Sequence, residues 1–387
     1  MTHSSSWLPG SSISALVGGL CFAVTAGATQ LNYATGYPGS SIPGEVAVEY
    51  AEAVEEYSGG ELSVRVFHQS LLSAAETSDG VRDGVADIGY LLTVYFPERY
   101  AHTNFLNEAS MQLLLLDDDG GDNAALAYEG AMAEFTFFHC PECNDEYRQQ
   151  NQVYTANAAS SWYGLLCREP VVSIDDMQGK RMRTAGSQWS RWSSHFGATS
   201  VSLTINEVYE ALEQGVVDCV VQSAPELLNL RLIEPTTDIT MAIPGGIYAG
   251  ANGASVNRDA WQALTDNQRD AMLRAGARLT AEIPFRYQEL EEEALTEAEA
   301  QGVTLHEPDQ ELLEATRDFV EQDQEKAVSY YAEDHGVERG AEILTEFREI
   351  LEKWVDLVEG IDNTDDLTEL YWEEIFSRVD VSSHGMD

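Results

Sequence analysis

The sequence predicts an α/β protein built from two lobes of similar architecture. Short apolar stretches typical of strands alternate with amphipathic helical stretches between residues 31 and 221, and this order favours parallel or mixed sheets. The order occurs twice, and the related segments GVAD at 84–87 and GVVD at 215–218 mark equivalent helix-to-strand junctions. Two α/β lobes connected by crossing strands leave a cleft between them, where ligands bind.

The first repeat has a β-α-β-α-β order. Pro43 suits the first turn of a helix, and Gly59 and Gly60 end that helix. Apolar and polar residues alternate over 62–66, which is typical of a half-buried strand. The predicted elements are a strand at 31–35, a helix at 43–57, a strand at 62–66, a helix at 74–82 and a strand at 86–92.

The second repeat follows a crossover strand at 164–168. Thr204 and Glu207 have the spacing of a capping box, which predicts that a helix begins there. Gly215 ends that helix and a strand follows. The predicted elements are a strand at 181–184, a helix at 189–196, an extended segment at 201–203, a helix from 204 and a strand at 216–221.

The remaining chain is predicted to be helical apart from one edge strand. Leu351, Trp354, Val355 and Val358 form one helical stripe, which we interpret as core or lobe packing. The predicted elements are helices at 258–290 and 289–301, a strand at 303–306, and helices at 310–337, 340–358 and 367–378.

Composition and charge narrow the possible functions. The chain has 387 residues, 44% of them hydrophobic, and a formal net charge of −45. Such a surface repels phosphate backbones, so nucleic acid is excluded as a partner. Residues 281–387 hold 32 acidic side chains against seven basic ones. This acidic region forms either solvated helical faces or a docking surface for a basic partner.

The N-terminus is typical of an export signal. Residues 12–28 carry no charge and end in Ala-Gly-Ala, the small-x-small pattern that a signal peptidase cleaves. We therefore expect residues 1–28 to be a signal peptide and the mature protein to be periplasmic or otherwise extracytoplasmic. The n-region lacks Lys and Arg, so a retained anchor is an alternative, and lipidation at Cys21 is another.

The sequence offers no recognisable catalytic motif. It contains no nucleophile elbow, metalloprotease motif, phosphate-binding loop or dinucleotide fingerprint, so we expect neither an enzyme nor a cofactor. His139, Cys140 and Cys143 form half a zinc site at best, which leaves a secreted zinc hydrolase as a minor alternative. A local disulfide or free thiols are favoured for this pair, and Cys167 and Cys219 are interpreted as unpaired.

Five segments resemble the solute-binding subunit (DctP-like) of tripartite ATP-independent periplasmic (TRAP) transporters. The most specific is DDMQGKRMR at 175–183, which is similar to the family signature D-[LM]-x-G-x-K-[IL]-R. The others, in family order, are YSGGELSV at 57–64, GVADI at 84–88, GATSV at 197–201 with EVYEALEQGVVD at 207–218, and NRDAWQAL at 257–264.

The resemblance implies a periplasmic-binding-protein-like fold with an interlobe cleft, hinge strands and long bracing C-terminal helices. One lobe would hold residues 29–160 and 246–286 and the other 161–244. The acidic helical region 287–387 would pack across both. The implied function is to capture a small organic acid and deliver it to integral-membrane TRAP permease subunits. A solute receptor of the same fold that serves another transporter or a sensor is the alternative.

Arg183 is the principal candidate ligand-binding residue. The resemblance places it on the ligand carboxylate, and a guanidinium offers two parallel donors that match two carboxylate oxygens. A surface ion pair is the competing interpretation. Arg181 lies two residues away and therefore on the same strand face, so it is the alternative if the alignment is shifted.

The other candidates are weaker and are mostly aromatic. Gln222 follows a strand where the family places a polar contact, and Tyr163 falls where some relatives carry a second arginine. No metal is expected, because Cys219, Val220 and Val221 replace the Glu-Trp pair that binds metal in some relatives. The further predicted cleft residues are Trp162, Trp189, Tyr90, Thr93, Tyr95 and Tyr248.

Overall fold

The structure, a computed structural model, describes residues 1–5, 28–115 and 123–386. The predicted signal peptide at 1–28 lies almost entirely outside the described residues. Among the described residues, none of the helices combines the length and apolar character that crossing a membrane requires.

Eleven strands in the described residues form two separate sheets. The first has the order β2-β1-β3-β10-β4, and the second has the order β11-β9-β5-β8-β6-β7. The strands are β1 Thr29–Thr35, β2 Leu62–His68, β3 Ile88–Leu92, β4 Gln152–Val153, β5 Tyr163–Cys167, β6 Arg181–Thr184, β7 Thr199–Ser202, β8 Cys219–Ser223, β9 Asp238–Thr240, β10 Ala251–Asn257 and β11 Thr304–His306.

Fourteen α-helices in the described residues surround these sheets. They are α1 Ile42–Tyr57, α2 Thr77–Arg82, α3 Ala101–Glu108, α4 Ala124–Phe138, α5 Pro141–Gln149, α6 Ile174–Met177, α7 Ser187–His195, α8 Val208–Glu213, α9 Glu226–Asn229, α10 Arg258–Ala263, α11 Asp266–Ala300, α12 Gln310–Asp334, α13 Gly340–Leu357 and α14 Thr364–Glu374.

The two sheets define two lobes with a related strand arrangement. In each sheet, three strands pair in parallel around the first strand of the repeat: β1 with β2 and β3, and β6 with β7 and β8. One antiparallel strand then follows in each sheet, β10 beside β3 and β5 beside β8. The predicted two-lobed α/β fold is therefore confirmed.

Two crossing segments join the lobes and run antiparallel to each other. Ala158 bridges to Ala251, and Trp162 bridges to Ile247. The backbone N–H of Tyr163 donates to the carbonyl oxygen of Gly246 at 2.9 Å. This paired ribbon is the hinge between the lobes. The lobe boundaries stated above stay a prediction, although β11 adds a strand from the C-terminal region to the second sheet.

Helix α11 packs on both lobes. Its 35 residues span about 52 Å at 1.5 Å per residue. It packs against α1 and β10 of the first lobe and against α9 and β11 of the second. The predicted division at residue 289 is wrong because α11 is continuous there. The predicted helix at 258–290 is instead broken at Leu264, where Thr265 and Gln268 form a capping box.

The predicted helix from Thr204 begins later than expected. The backbone N–H and hydroxyl of Thr204 both donate to the carboxylate of Glu207, at 2.9 and 2.8 Å. These bonds form a turn, and α8 begins only at Val208. In α13, the stripe residue Trp354 is fully buried and donates to the Glu134 carboxylate on α4, so its predicted packing role is confirmed.

The four cysteines in the described residues form two disulfides. Cys140 and Cys143 are joined to each other, which is the local disulfide that the sequence favours over a metal site. Cys167 and Cys219 are also joined, so the interpretation of these two as unpaired is wrong. They lie directly opposite each other on the antiparallel strands β5 and β8. Their separation of 52 residues hides this pairing in the sequence.

Candidate ligand-binding site

Arg183 lies on β6, is fully buried, and makes three hydrogen bonds. Its Nε donates to the carbonyl oxygen of Leu203 at 2.9 Å, Nη1 donates to Oε1 of Gln222 at 2.7 Å, and Nη2 donates to the hydroxyl of Tyr95 at 3.0 Å. A guanidinium has five N–H groups. One N–H on each terminal nitrogen therefore has no partner in the described part of the chain, and these two can serve a planar, two-oxygen acceptor.

Tyr95 connects the two lobes at this arginine. It lies in a single 3₁₀ turn that directly follows β3. Its hydroxyl accepts from Arg183 and also from the backbone N–H of Ile205 at 2.9 Å. Both donors belong to the second lobe. The predicted residues Tyr95, Arg183 and Gln222 thus meet at one point between the lobes.

Further interlobe hydrogen bonds show that the cleft is closed. Asn206 of the second lobe accepts from the N–H of Ala74 at 3.0 Å and donates to the carbonyl oxygen of Gly36 at 2.8 Å. Asn229 accepts from the N–H of Ile42 at 3.0 Å. Because Arg183 is fully buried and bonds across the lobes to Tyr95, a group bound beside it would be shielded from water, which strengthens its electrostatic interactions.

Two aromatic pairs lie near the group formed by Arg183, Tyr95 and Gln222. Tyr163 stacks on Trp189 with the ring centroids 4.3 Å apart, and Tyr37 meets the edge of Tyr90 at 5.5 Å. Burial raises the pKa of the Tyr163 hydroxyl, while the positive charge of Arg183 opposes that shift. The hydroxyls of Tyr37, Tyr90 and Tyr163 make no hydrogen bond within residues 28–115 and 123–386, so they are available to a ligand.

Two of the predicted residues, Thr93 and Tyr248, are hydrogen-bonded to backbone groups, and a third, Trp162, lies in a different groove from Arg183. The Thr93 hydroxyl donates to the carbonyl oxygen of Gly250 at 2.6 Å. Tyr248 accepts from the N–H of Val94 at 3.4 Å. Trp162 lines a groove on another side of the hinge, together with Met241, Leu295 and other residues. The structure therefore does not bring Trp162 together with Arg183.

Arg181 differs from Arg183 in its environment. It lies at the start of β6, its side chain is 44% exposed, and it forms a two-pronged ion pair with Asp218. The alternative alignment thus places on the ligand an exposed arginine whose charge is already paired with a carboxylate. Arg183 is fully buried and is hydrogen-bonded to neutral groups, so it is the better candidate.

Glu226 is a buried carboxylate that the sequence reasoning missed. It is the first residue of α9, is 1% exposed, and accepts from the Tyr287 hydroxyl at 2.7 Å. Burial raises the pKa of Glu226 to about 7, although the Tyr287 hydrogen bond and the charge of Arg183 lower it. In a chain with 66 acidic residues, sequence offers no signal that separates this carboxylate from a surface one.

The cysteines do not form a metal centre. The Cys140 and Cys143 sulfurs are bonded to each other. Within the described ranges, we find no group of three or more His, Cys, Asp or Glu side chains placed to hold a metal ion. The two sulfurs on which the zinc hydrolase alternative depends are therefore not free to be ligands.

The fold and the closed interlobe site define a two-lobed solute-binding protein. Residues 33–331 match the model of the family described as bacterial extracellular solute-binding protein, family 7 (DctP). The chain therefore belongs to this family. It is a family of transport proteins rather than enzymes, located outside the cytoplasm, whose TRAP members bind small organic acids and work with membrane permease components.

Solved structures of TRAP solute-binding proteins share the fold. A marine metagenome protein specific for aromatic acid ligands is 21% identical, with a TM-score of 0.72, and the match covers 84% of this chain and 99% of that one. A Bordetella bronchiseptica protein with bound mandelate is 20% identical, with a TM-score of 0.70 and the same coverage. A marine metagenome protein specific for pyroglutamate is 17% identical, with a TM-score of 0.70, and the match covers 83% and 99%.

Curated relatives match over shorter stretches. The outer membrane transporter protein TsaT of Comamonas testosteroni is 22% identical over 260 residues, 66% of this chain and 72% of that protein. A solute-binding protein of Albidiferax ferrireducens is 26% identical over 111 residues, 29% of this chain. That match spans only 33% of the relative's own length.

Proposed function

We propose that this protein is exported by its N-terminal signal, captures a small organic acid in its interlobe cleft, and delivers the acid to TRAP permease subunits. One observation carries the proposal. Arg183 is buried in a closed cleft and has one unused N–H on each terminal nitrogen. A carboxylate is the planar acceptor that matches this pair of donors.

The surrounding contacts support a small ligand with an apolar or ring-shaped body. Tyr163, Trp189, Tyr37 and Tyr90 supply aromatic faces, and Gln222 fixes the orientation of the guanidinium. Ligand sites are mostly apolar with a few polar groups that determine orientation. Pyroglutamate, mandelate and aromatic acids are ligands of the structural neighbours, and we propose the same chemical class here.

Identification of the bound molecule tests the proposal. The mature protein is purified without added ligand and denatured, and the released small molecules are identified by mass spectrometry. A thermal-shift screen against organic acids, with matched neutral amides and sugars, follows. We expect a carboxylic acid to be released or to raise the melting temperature. Stabilisation by a neutral sugar but by no acid would contradict the proposal.

A further inference from the structure

Glu226 has one carboxylate oxygen that the protein itself does not use. Oε1 accepts the hydrogen bond from Tyr287, but Oε2 is buried and has no hydrogen-bond partner in the described part of the chain. The Gln222 side chain, which accepts from Arg183 through its Oε1, also makes a polar contact with the Glu226 carboxylate that lowers the pKa of Glu226, but this contact does not meet hydrogen-bond geometry at Oε2. A buried acceptor without a donor is costly, so this oxygen calls for a partner that the described residues do not supply.

Glu226 lies close to the proposed carboxylate site, because Gln222 contacts both Arg183 and the Glu226 carboxylate. The charge of Arg183 acts on its carboxylate, and the carboxylate in turn acts on the hydroxyls of Tyr37, Tyr90 and Tyr163. These three tyrosine hydroxyls make no hydrogen bond in the described part of the chain. The site therefore contains unused donors at Arg183 and an unused acceptor at Glu226.

A structural role for Glu226 explains only one of its two carboxylate oxygens. The Tyr287 bond connects α9 to α11 and needs a single acceptor, which a glutamine would provide equally well. A carboxylate adds a second acceptor and a negative charge in a site that must admit an anion. That combination is unfavourable for a plain carboxylic acid, but it is favourable for an acid that carries its own donor group.

We propose that Glu226 determines specificity by accepting a hydrogen bond from a hydroxyl or N–H group on the same small acid whose carboxylate binds Arg183. This inference rests on the proposed function and narrows its substrate class. Acids that lack such a donor leave Oε2 unpaired, and sites built to hydrogen-bond a ligand group reject analogues without it.

Matched pairs of acids test the assignment. The pairs are 3-hydroxybenzoate with benzoate, mandelate with phenylacetate, and pyroglutamate with cyclopentanecarboxylate. Affinities for the wild-type protein, Glu226→Gln and Glu213→Gln are measured by calorimetry. Glu213 is exposed on α8, so its variant makes the same charge change away from the site. Glu226→Gln keeps an acceptor for Tyr287, and its fold is checked by thermal unfolding.

We expect the wild-type protein to prefer the donor-bearing member of at least one pair by about 10- to 100-fold, as one hydrogen bond to a charged group allows. Glu226→Gln should remove most of that preference, and Glu213→Gln should leave it unchanged. Equal affinity for both members of every bound pair would overturn the role of Glu226 but not the proposed function. Failure of the wild-type protein to bind any of these acids, together with binding of neutral solutes, would overturn both.

Discussion

Arg183 uses three of its N–H groups within the protein and leaves two for the ligand contact that we propose. Three of its N–H groups fix the guanidinium through Leu203, Gln222 and Tyr95. The other two remain on a rigid, fully buried fork. A ligand carboxylate therefore meets donors that are already oriented, which reduces the entropy lost on binding.

Replacing Arg183 should abolish tight binding. Removal of one partner from a buried, hydrogen-bonded charge pair costs on the order of 2–5 kcal/mol, so Arg183→Ala should weaken binding by about 30- to several-thousand-fold. Arg183→Lys should also bind poorly because it loses the planar fork. Arg181→Ala is the matched control, since Arg181 pairs with Asp218. Calorimetry with the identified ligand measures all three, and wild-type affinity in Arg183→Ala would refute the carboxylate contact.

Glu226 should make the stability of the unliganded protein depend on pH. Its pKa is raised from 4.5 to about 7 in the folded state, so the folded protein binds more protons than the unfolded one between these values. Stability contributed by the protonated form is present below pH 4.5 and is lost as the pH rises through about 7. The loss is at most about 3 kcal/mol.

Thermal unfolding of the wild-type protein and Glu226→Gln across pH 4 to 8 isolates this contribution. Other buried carboxyl groups with raised pKa values, such as Glu108 and Glu129, act equally in both proteins. The difference between the two curves should therefore grow in favour of Glu226→Gln as the pH rises. A constant difference would show that Glu226 does not titrate in this range.

At the scale of elements, the sequence predicts the type and order of most strands and helices. Their apolar periodicity and turn residues are local signals, as at Gly59, Gly60 and Gly215. The errors occur where two local signals compete. The Thr204 capping pattern forms a turn instead of a helix start. The Thr265 capping box breaks the helical stretch after Leu264, but the apolar stripe on both sides of it predicts one continuous helix.

The sequence predicts candidate site residues only where a local motif gives their position. Arg183 ends a specific family segment, and Gln222 was expected just after a strand, whereas the structure places it within β8. Glu226 and the Cys167–Cys219 disulfide depend on which strands become neighbours, and strand order is set by long-range packing. No local pattern reveals that β5 lies beside β8, so the sequence could not have paired these cysteines.

The two disulfides should contribute unequally to stability. Cys167–Cys219 spans 52 residues, whereas Cys140–Cys143 spans three, and a longer closed loop restricts the unfolded chain more. Replacing Cys167 and Cys219 with serine should cost about 2–4 kcal/mol in denaturant unfolding. The Cys140→Ser, Cys143→Ser variant should lose less and keep ligand affinity within a few-fold. A hundred-fold affinity loss in that variant would contradict a purely structural role.

At the scale of the whole molecule, the hinge and α11 have complementary roles. The paired segments at Ala158–Ala251 and Trp162–Ile247 connect the lobes, and α11 packs against elements of both lobes. Tyr95 and Asn206 make hydrogen bonds between the lobes. These bonds stabilise the closed arrangement at the proposed ligand-binding site. Ligand binding and lobe closure are thus expected to be coupled.

The net charge of −45 has a further consequence for ligand capture. Long-range repulsion opposes the approach of an anion, whereas the carboxylate contact that we propose at the buried Arg183 is short-range. Salt screens the first effect strongly and the second weakly, because the Debye length falls from about 10 Å at 0.1 M to about 3 Å at 1 M salt. The association rate constant should therefore rise several-fold with salt, with little change in the dissociation rate constant. Stopped-flow fluorescence, which Trp189 beside the site makes feasible, measures both constants, and sucrose of equal osmolarity is the non-ionic control. An association rate that falls with salt would show instead that the local positive field of Arg183 extends into solvent and attracts the ligand.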